Sequence, residues 1–310
     1  MWPKMPPPTS TRAHWQGNLP AFRAACGMGF VATPALPASH RVVELGTGAL
    51  ARLAHRGGMD SDGKSGDGAG LLVQVPHRLL GGRPSRLAVA MLFEWDSRAR
   101  VLLAEELRNA GSPISAVRQV PLDRSALGEQ APAGVPYSRQ GLLDNPQPPP
   151  DEWEELHDAA RAAPVRRRTA EGVPMYIPSL SSRTVVFKGL MAGTHLADFY
   201  LDLRDPDCES ALAVFHQRYS TNTMPDWRNA QPFRMLAHNG EINTLSGNRN
   251  WMRAREPFLP EELRDVIWPE GSDSASLDNA LELLVRLGSD PAEALMTVVP
   301  DAWGGRGERD

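Results

Sequence analysis

Cys26 stands between Ala24-Ala25 and Gly27 in the stretch AFRAACGMGFVATP (21–34), and it is one of two cysteines in the chain. A cysteine at the first position of a mature chain carries a thiol and a free α-amine. The amine's reference pKa of about 7.7–8.0 lies just below the thiol's, about 8.5. Such an amine can take the thiol proton, so removal of residues 1–25 would make Cys26 a nucleophile that needs no neighbouring histidine. Gly27 and Gly29 would leave room beside the sulfur. The same local sequence also fits a small buried cysteine. A lipid-modified cysteine is excluded. Its signal needs an apolar run of roughly 7–15 residues upstream, whereas TSTRAHWQGNLPAFR (9–23) holds two arginines, a histidine, Gln16 and Asn18.

Three downstream segments add complementary groups. In FHQRYSTNTMP (215–225), Arg218 follows an expected strand and precedes Ser220, Thr221, Asn222 and Thr223. A guanidinium fork with adjacent hydroxyls suits a carboxylate, and in isolation it also suits a surface ion pair. LAHNGEINT (236–244) places Asn239 and Gly240 at an expected strand end, where a side-chain amide and a backbone N–H could receive an oxyanion. Asn-Gly is equally a tight-turn signal. GSDSASLDNALELL (271–284) opens a helix with Asp273 and Ser274, either of which could cap it. Asp273 could also hold a substrate ammonium. Each group has a plain structural reading alone. Together, a thiol, a carboxylate clamp, an oxyanion hole and an anion fit an α-amino acid that carries a carbonyl to be attacked.

The elements that must position these groups follow from periodicity. Strands are expected at 28–33, 70–76, 86–93, 211–217 and 233–238, and 175–189 reads as a hairpin joined at Ser181-Ser182. Helices are expected at 40–55, 97–110, 243–255, 274–287 and 291–299. The clearest is 274–287, with Leu277, Leu281, Leu284 and Val285 on one face. Residues 128–172 are weakly patterned and read as loops around a short helix near 151–162. Strands in runs followed by helices in runs indicate an α+β fold with antiparallel sheet. No internal repeat is present, and residues 1–25 read as a leader.

Composition excludes several function classes. The chain has 310 residues, of which 41% are apolar and 23% charged, with net charge −4 from 33 basic and 37 acidic residues. No global field favours nucleic acid or a membrane surface. No apolar run approaches a membrane span. Cys26 and Cys208 cannot build a disulfide framework or, by themselves, a metal site, which points to the cytoplasm and to no metal.

Gly58-Met59-Asp60-Ser61-Asp62-Gly63-Lys64-Ser65 matches a phosphate-binding loop letter for letter. The segment follows a helix rather than a strand, and Asp60, Asp62 and Asp67 would repel phosphate. A calcium loop fails too, because its twelfth position is Leu71. The expectation is a solvated loop whose glycines allow close backbone approach.

The chain resembles the class II glutamine amidotransferase region of the glutamate synthase large subunit. The resemblance rests on LAHRGGMDSDGKSGDGAGLL (53–72), SLSSRTVVFKG (179–189), SALAVFHQRYSTNTMPDWRNAQPFRMLAHNGEINTLSGNRNWMRAREP (210–257) and SDSASLDNALELLVR (272–286). It implies an N-terminal-nucleophile hydrolase fold, a four-layer αββα sandwich of two antiparallel sheets. It implies a propeptide over 1–25, an amidotransferase domain over 26–303 that is truncated at its C-terminus, and a tail over 304–310 outside the family pattern. Carried over by position, Cys26 attacks the side-chain amide of L-glutamine, and Asn239 and Gly240 form the oxyanion hole. Arg218, with Thr221 beside it, binds the α-carboxylate, and Asp273 holds the α-ammonium. Ammonia would pass to a synthase domain, where 2-oxoglutarate is aminated with FMN, an iron–sulfur cluster and electrons from NADPH or ferredoxin. This chain would carry no cofactor, and a small subunit is a possible partner. The family often has an acidic residue just before the Ala-Cys pair, where this chain has Arg23-Ala24-Ala25. Two readings remain beside this one: an unprocessed, inactive fragment serving only binding or assembly, and an amidase on another amide. Arg218 and Asp273 together oppose the latter.

Overall fold

The computed structural model describes residues 27–33, 37–82, 86–128, 134–144, 172–218, 224–240, 242, 244–264, 266–268 and 271–299. The leader and the short helix expected near 151–162 lie outside them.

Among the described residues, eight strands form two antiparallel sheets. The first has the order β1-β8-β2-β7, from β1 (Met28–Ala32), β2 (Ala69–Gln74), β7 (Thr184–Gly189) and β8 (Leu212–Gln217). The second has the order β4-β5-β3-β6, from β3 (Leu87–Glu94), β4 (Ala116–Gln119), β5 (Tyr137–Asp144) and β6 (Met175–Ser181). The two strands expected over 175–189 are β6 and β7, but β6 pairs with β3 and β7 with β2, so they connect the two sheets and do not form the expected hairpin. Helix α1 (His40–Arg52) backs the first sheet through Val42, Val43 and Leu50, and Gly46 lets it approach Ala213 and Leu71. Helix α2 (Arg98–Asn109) backs the second, where Leu102, Leu103 and Leu107 meet Ala88, Ala90 and Leu92. Two antiparallel four-stranded sheets with helices packed on them are consistent with the expected αββα fold.

β3 is buried along its whole length, which is why RLAVAMLF reads as a continuous apolar run rather than an alternating one. Val89, Met91 and Phe93 on its other face join the core shared with Leu71, Val73 and Phe187. A separate apolar cluster unites α4 (Leu245–Arg255), α5 (Asp273–Arg286) and α6 (Pro291–Val298), built from Met252, Leu277, Leu281, Leu284 and Val298. Among the described residues, a further α-helix, α3 (Leu196–Phe199), is a single turn carrying buried Leu196 and Phe199.

Three further expectations need correction. β4 and β5 were not expected as strands. β5 has Gly141 at its centre and its burial alternates only imperfectly, and it pairs with β3 and β4 on its two edges. Residues 233–238 are not a strand. Their backbone groups pair with a turn and with side chains: Phe233 N–H donates to Leu236 O at 2.9 Å, Met235 N–H to Asp278 Oδ1 at 2.7 Å, and His238 N–H to Gln231 Oε1 at 2.8 Å. Lastly, the first helix stops at Arg52 and continues as a 3₁₀ turn over Ala54–Arg56.

Leu71 is fully buried between β2 and α1. Leu71→Ala should lower unfolding free energy by about 2–5 kcal/mol, whereas Val101→Ala, on the exposed face of α2, should change it by less than about 0.5 kcal/mol. Urea denaturation checks both: the midpoint of the first variant should move with the slope unchanged, and equal midpoints would contradict the assigned core.

Candidate active site

The site begins where β1, β8 and β2 end together. Gln217 N–H donates to Gly27 O at 2.5 Å, and Met28 pairs with His216, so the residue that follows Cys26 lies against the end of β8. Cys26 itself and Thr221 lie outside the described residues. Gly29 lies opposite Phe215, whose ring would stand 2.7 Å from any Cβ there.

Arg218 leaves β8 with 7% of its surface exposed. Its N–H donates to Gly68 O at 2.8 Å, its carbonyl accepts from Gly58 N–H at 3.1 Å, and Nη1 donates to Asp67 O at 3.3 Å. Burial lowers its pKa, and the charges of Asp67, Asp273 and Asp226 act against that shift. The guanidinium therefore shares its electrostatic environment with the carboxylate of Asp273, which belongs to a distant part of the chain.

Asp273 is the first residue of α5. The cap is Ser272, whose Oγ accepts from Ala275 N–H at 3.1 Å, so neither Asp273 nor Ser274 takes the capping role expected for one of them. Asp273 Oδ1 accepts from Ser274 N–H at 2.6 Å and Oδ2 from Ile242 N–H at 3.3 Å. An anion at the start of a helix is favoured by the helix dipole. Ser274 Oγ also lies 3.3 Å from His238 Nδ1. The residue before Asn239 is thus tied to the residue after Asp273, and the Asn239-Gly240 corner sits beside the helix start.

The segment 226–240 crosses the ends of β2 and β7 at close range. A Cβ at Gly70 would lie 2.5 Å from Gln231 O, and one at Gly68, where φ is +132°, would lie 2.9 Å from Ala230 Cβ. The close approach expected for the glycine-rich loop is made to this segment. The loop is not built for phosphate: Asp62 Oδ1 accepts from Lys64 N–H at 2.9 Å and Ser65 N–H at 2.8 Å, and Lys64 Nζ donates to Ser125 O at 3.0 Å. Its donors are already occupied. Arg234 fastens the segment to α5 by an ion pair with buried Asp278 at 2.7 Å and a second with Glu282 at 3.0 Å. Beneath it, fully buried Lys188 donates to Arg228 O at 2.9 Å, and burial drives its pKa well below the usual lysine range. Cys208 is buried elsewhere, with its thiol pushed up to about 12, chiefly by burial, and it is no rival nucleophile.

The structure thus brings together Arg218, Asn239, Gly240 and Asp273 around the end of β8. Sequence reasoning did not single out Gln217, His216, Gln231 or Ser272, which fix their backbone. Gln217 is buried; its Oε1 accepts from Gly193 N–H at 2.7 Å. The available signal was the polar run His216-Gln217-Arg218 at the end of a strand whose other residues are apolar.

A buried cation, an anion at a helix start and an Asn-Gly corner thus lie near one sheet end. Residues 26–309 match the class-II glutamine amidotransferases, and the chain belongs to that family. It is 40% identical over 307 residues to the glutamate synthase (NADPH) large chain of Azospirillum brasilense, a match covering 90% of this chain and 20% of that protein. It is 39% identical over 335 residues to ferredoxin-dependent glutamate synthase 2 of Synechocystis sp., covering 97% and 21%. The Bacillus subtilis glutamate synthase (NADPH) large chain is 37% identical, covering 90% and 20%. The chain spans about a fifth of the length of these relatives.

His216 is 1% exposed, and burial brings its pKa from 6.5 down to about 4. The unfolded chain therefore takes up this proton first, and stability should fall as pH drops from about 6.5 to 4, by on the order of 3 kcal/mol at the acid end. His77, also depressed by burial, adds a loss of the same sign. His216→Gln should make the decline across this window shallower in chemical denaturation. An unchanged slope would contradict the buried, neutral imidazole.

Proposed function

We propose that this chain hydrolyses L-glutamine to glutamate and ammonia through a thioester on Cys26. The observation that carries the reading is the meeting of Arg218, Asp273 and the Asn239-Gly240 corner at the sheet end reached by Gly27. A carboxylate reader and an ammonium reader so arranged select an α-amino acid, and the corner supplies the electrophilic support that its side-chain amide needs.

Removal of residues 1–25 frees the α-amine of Cys26. The amine takes the thiol proton as Sγ attacks Cδ of the substrate amide. The carbonyl oxygen becomes an oxyanion held by the Asn239 side-chain amide and the Gly240 N–H. As the C–N bond breaks, the protonated amine returns its proton to the leaving nitrogen, which departs as ammonia. Water then attacks the thioester, giving its proton to the amine, and Cys26 leaves as the thiol with glutamate released. Arg218, with Thr221, holds the α-carboxylate, and Asp273 holds the α-ammonium. Such hydrolysis needs a nucleophile, a base and water, so the reading assigns no cofactor to this chain.

The names of the relatives support the reading that the module belongs to a glutamate synthase. There the ammonia would serve reductive amination of 2-oxoglutarate on a synthase portion, where FMN and an iron–sulfur cluster belong. A small subunit is a further proposed partner, and the cytoplasm is the proposed location. No helix among the described residues is long and apolar enough to cross a membrane.

The test is ammonia release from glutamine, read beside the intact mass of the protein. The mass should show loss of residues 1–25, and Cys26→Ala should abolish release. Asn239→Ala should reduce turnover by on the order of 10²–10³. A full-length mass with no ammonia released would favour the unprocessed binding or assembly fragment, and full activity in Cys26→Ala would refute the thioester.

A further inference from the structure

The corner that carries Asn239 and Gly240 is irregular, so something other than a strand ladder must fix its direction. The backbone of His238, immediately before Asn239, is gripped by one side chain. Gln231 Oε1 accepts from His238 N–H at 2.8 Å, and Gln231 Nε2 donates to His238 O at 2.8 Å. This two-bond clasp does with a carboxamide what a neighbouring strand does with its backbone. His216 Nε2, on β8, lies 3.0 Å from the same carbonyl and donates to it as the protonated ring nitrogen. Gln231 is 5% exposed, and its own carbonyl rests against Gly70 of β2. The carbonyl that leads into Asn239 is therefore bonded from the loop and from the sheet, by two side chains that are themselves buried.

We propose that Gln231, seconded by His216, is a positioning residue for amide hydrolysis, holding the Asn239-Gly240 corner in the orientation that receives the oxyanion. The inference rests on the function proposed above. An oxyanion forms only in the transition state, so loosening the clasp should lower kcat and leave KM nearly unchanged. Misplacement by about 1 Å can cost on the order of 10²-fold in rate.

Gln231→Glu keeps the shape and the acceptor for His238 N–H and removes the donor to His238 O. In the chain expressed whole and processed to Cys26, its kcat for glutamine should fall at least about tenfold near pH 8, with KM within about twofold of wild type. Burial raises the pKa of the introduced carboxyl above its usual value of about 4.3. Lowering the pH should then protonate it, restore the donor and bring the ratio of variant to wild-type kcat back towards one. Around the clasp stand His216 from β8, His238 from the segment itself, Lys188 from β7, and Arg218 and Asp273 beyond. These groups are common to both proteins, so the ratio reports the carboxyl at 231 together with its coupling to them. Gln231→Leu should stay slow at every pH and should lose hydrogen-exchange protection at the His238 amide.

A lowered melting temperature with unchanged kcat and a flat ratio would make Gln231 merely structural and overturn the proposal. So would unchanged protection at His238 in Gln231→Leu, a result read without any activity. Should that variant not fold, the near-isosteric Gln231→Glu decides by its pH ratio. In it, a further melting-temperature loss at low pH without recovery of kcat also overturns the proposal. A folded wild type that releases no ammonia counts against the proposed function, and the exchange arm still decides the clasp.

Discussion

A guanidinium removed from water at the end of a buried strand is costly unless opposite charge and hydrogen-bond acceptors are brought to it. Arg218 is in that position, and three carboxylates from three parts of the chain act on it: Asp67 of the glycine-rich loop, Asp226 of the crossing segment and Asp273 at the start of α5. Satisfying this one cation draws the first sheet, the crossing segment and the helical cluster towards a single point. Asp226 is itself held there: burial works to raise its pKa, but the Arg228 guanidinium, bonded at 2.8 and 2.6 Å, brings it below the usual carboxylate value. A cation so compensated keeps its charge and remains suited to reading a substrate carboxylate at a defined angle.

The close crossing of segment 226–240 over β2 gives the second constraint. Side chains at positions 68 and 70 would collide with Ala230 and Gln231, so the glycines of DGAG serve packing and geometry together. The same loop that imitates a phosphate-binding motif on paper is folded around Asp62, a carboxylate that occupies the amides a phosphate would need. A motif of the right letters acquires its chemistry only from the strand and helix around it.

Much of the architecture was legible because burial imprints a period. The strand over 87–94, the two strands within 175–189 and the helix over 273–286 carry continuous or periodic apolar faces, and their expected limits agree with the structure to within a residue or two. The crossing segment was misread because its apolar residues, Phe233 and Leu236, resemble a strand while Arg234, Met235 and His238 spend their donors on α5 and Gln231. Tertiary partners of that kind leave no period. Candidate site residues were legible as chemical types, a fork, an amide and an anion, but not their convergence. Ser272, not Asp273, caps the helix, and that single shift leaves the Asp273 carboxylate turned to Ile242 and Ser274 at the helix start.

The central claim is that Arg218 and Asp273 together read the two ends of an α-amino acid. The direct measurement compares kcat/KM for L-glutamine with that for glutaramate, the same amide without the α-ammonium, in wild type and in Asp273→Ala. The account predicts a wild-type preference for glutamine on the order of 10²-fold or more, which Asp273→Ala erases by losing glutamine alone. A preference that survives intact in Asp273→Ala would contradict it and place the ammonium reader elsewhere.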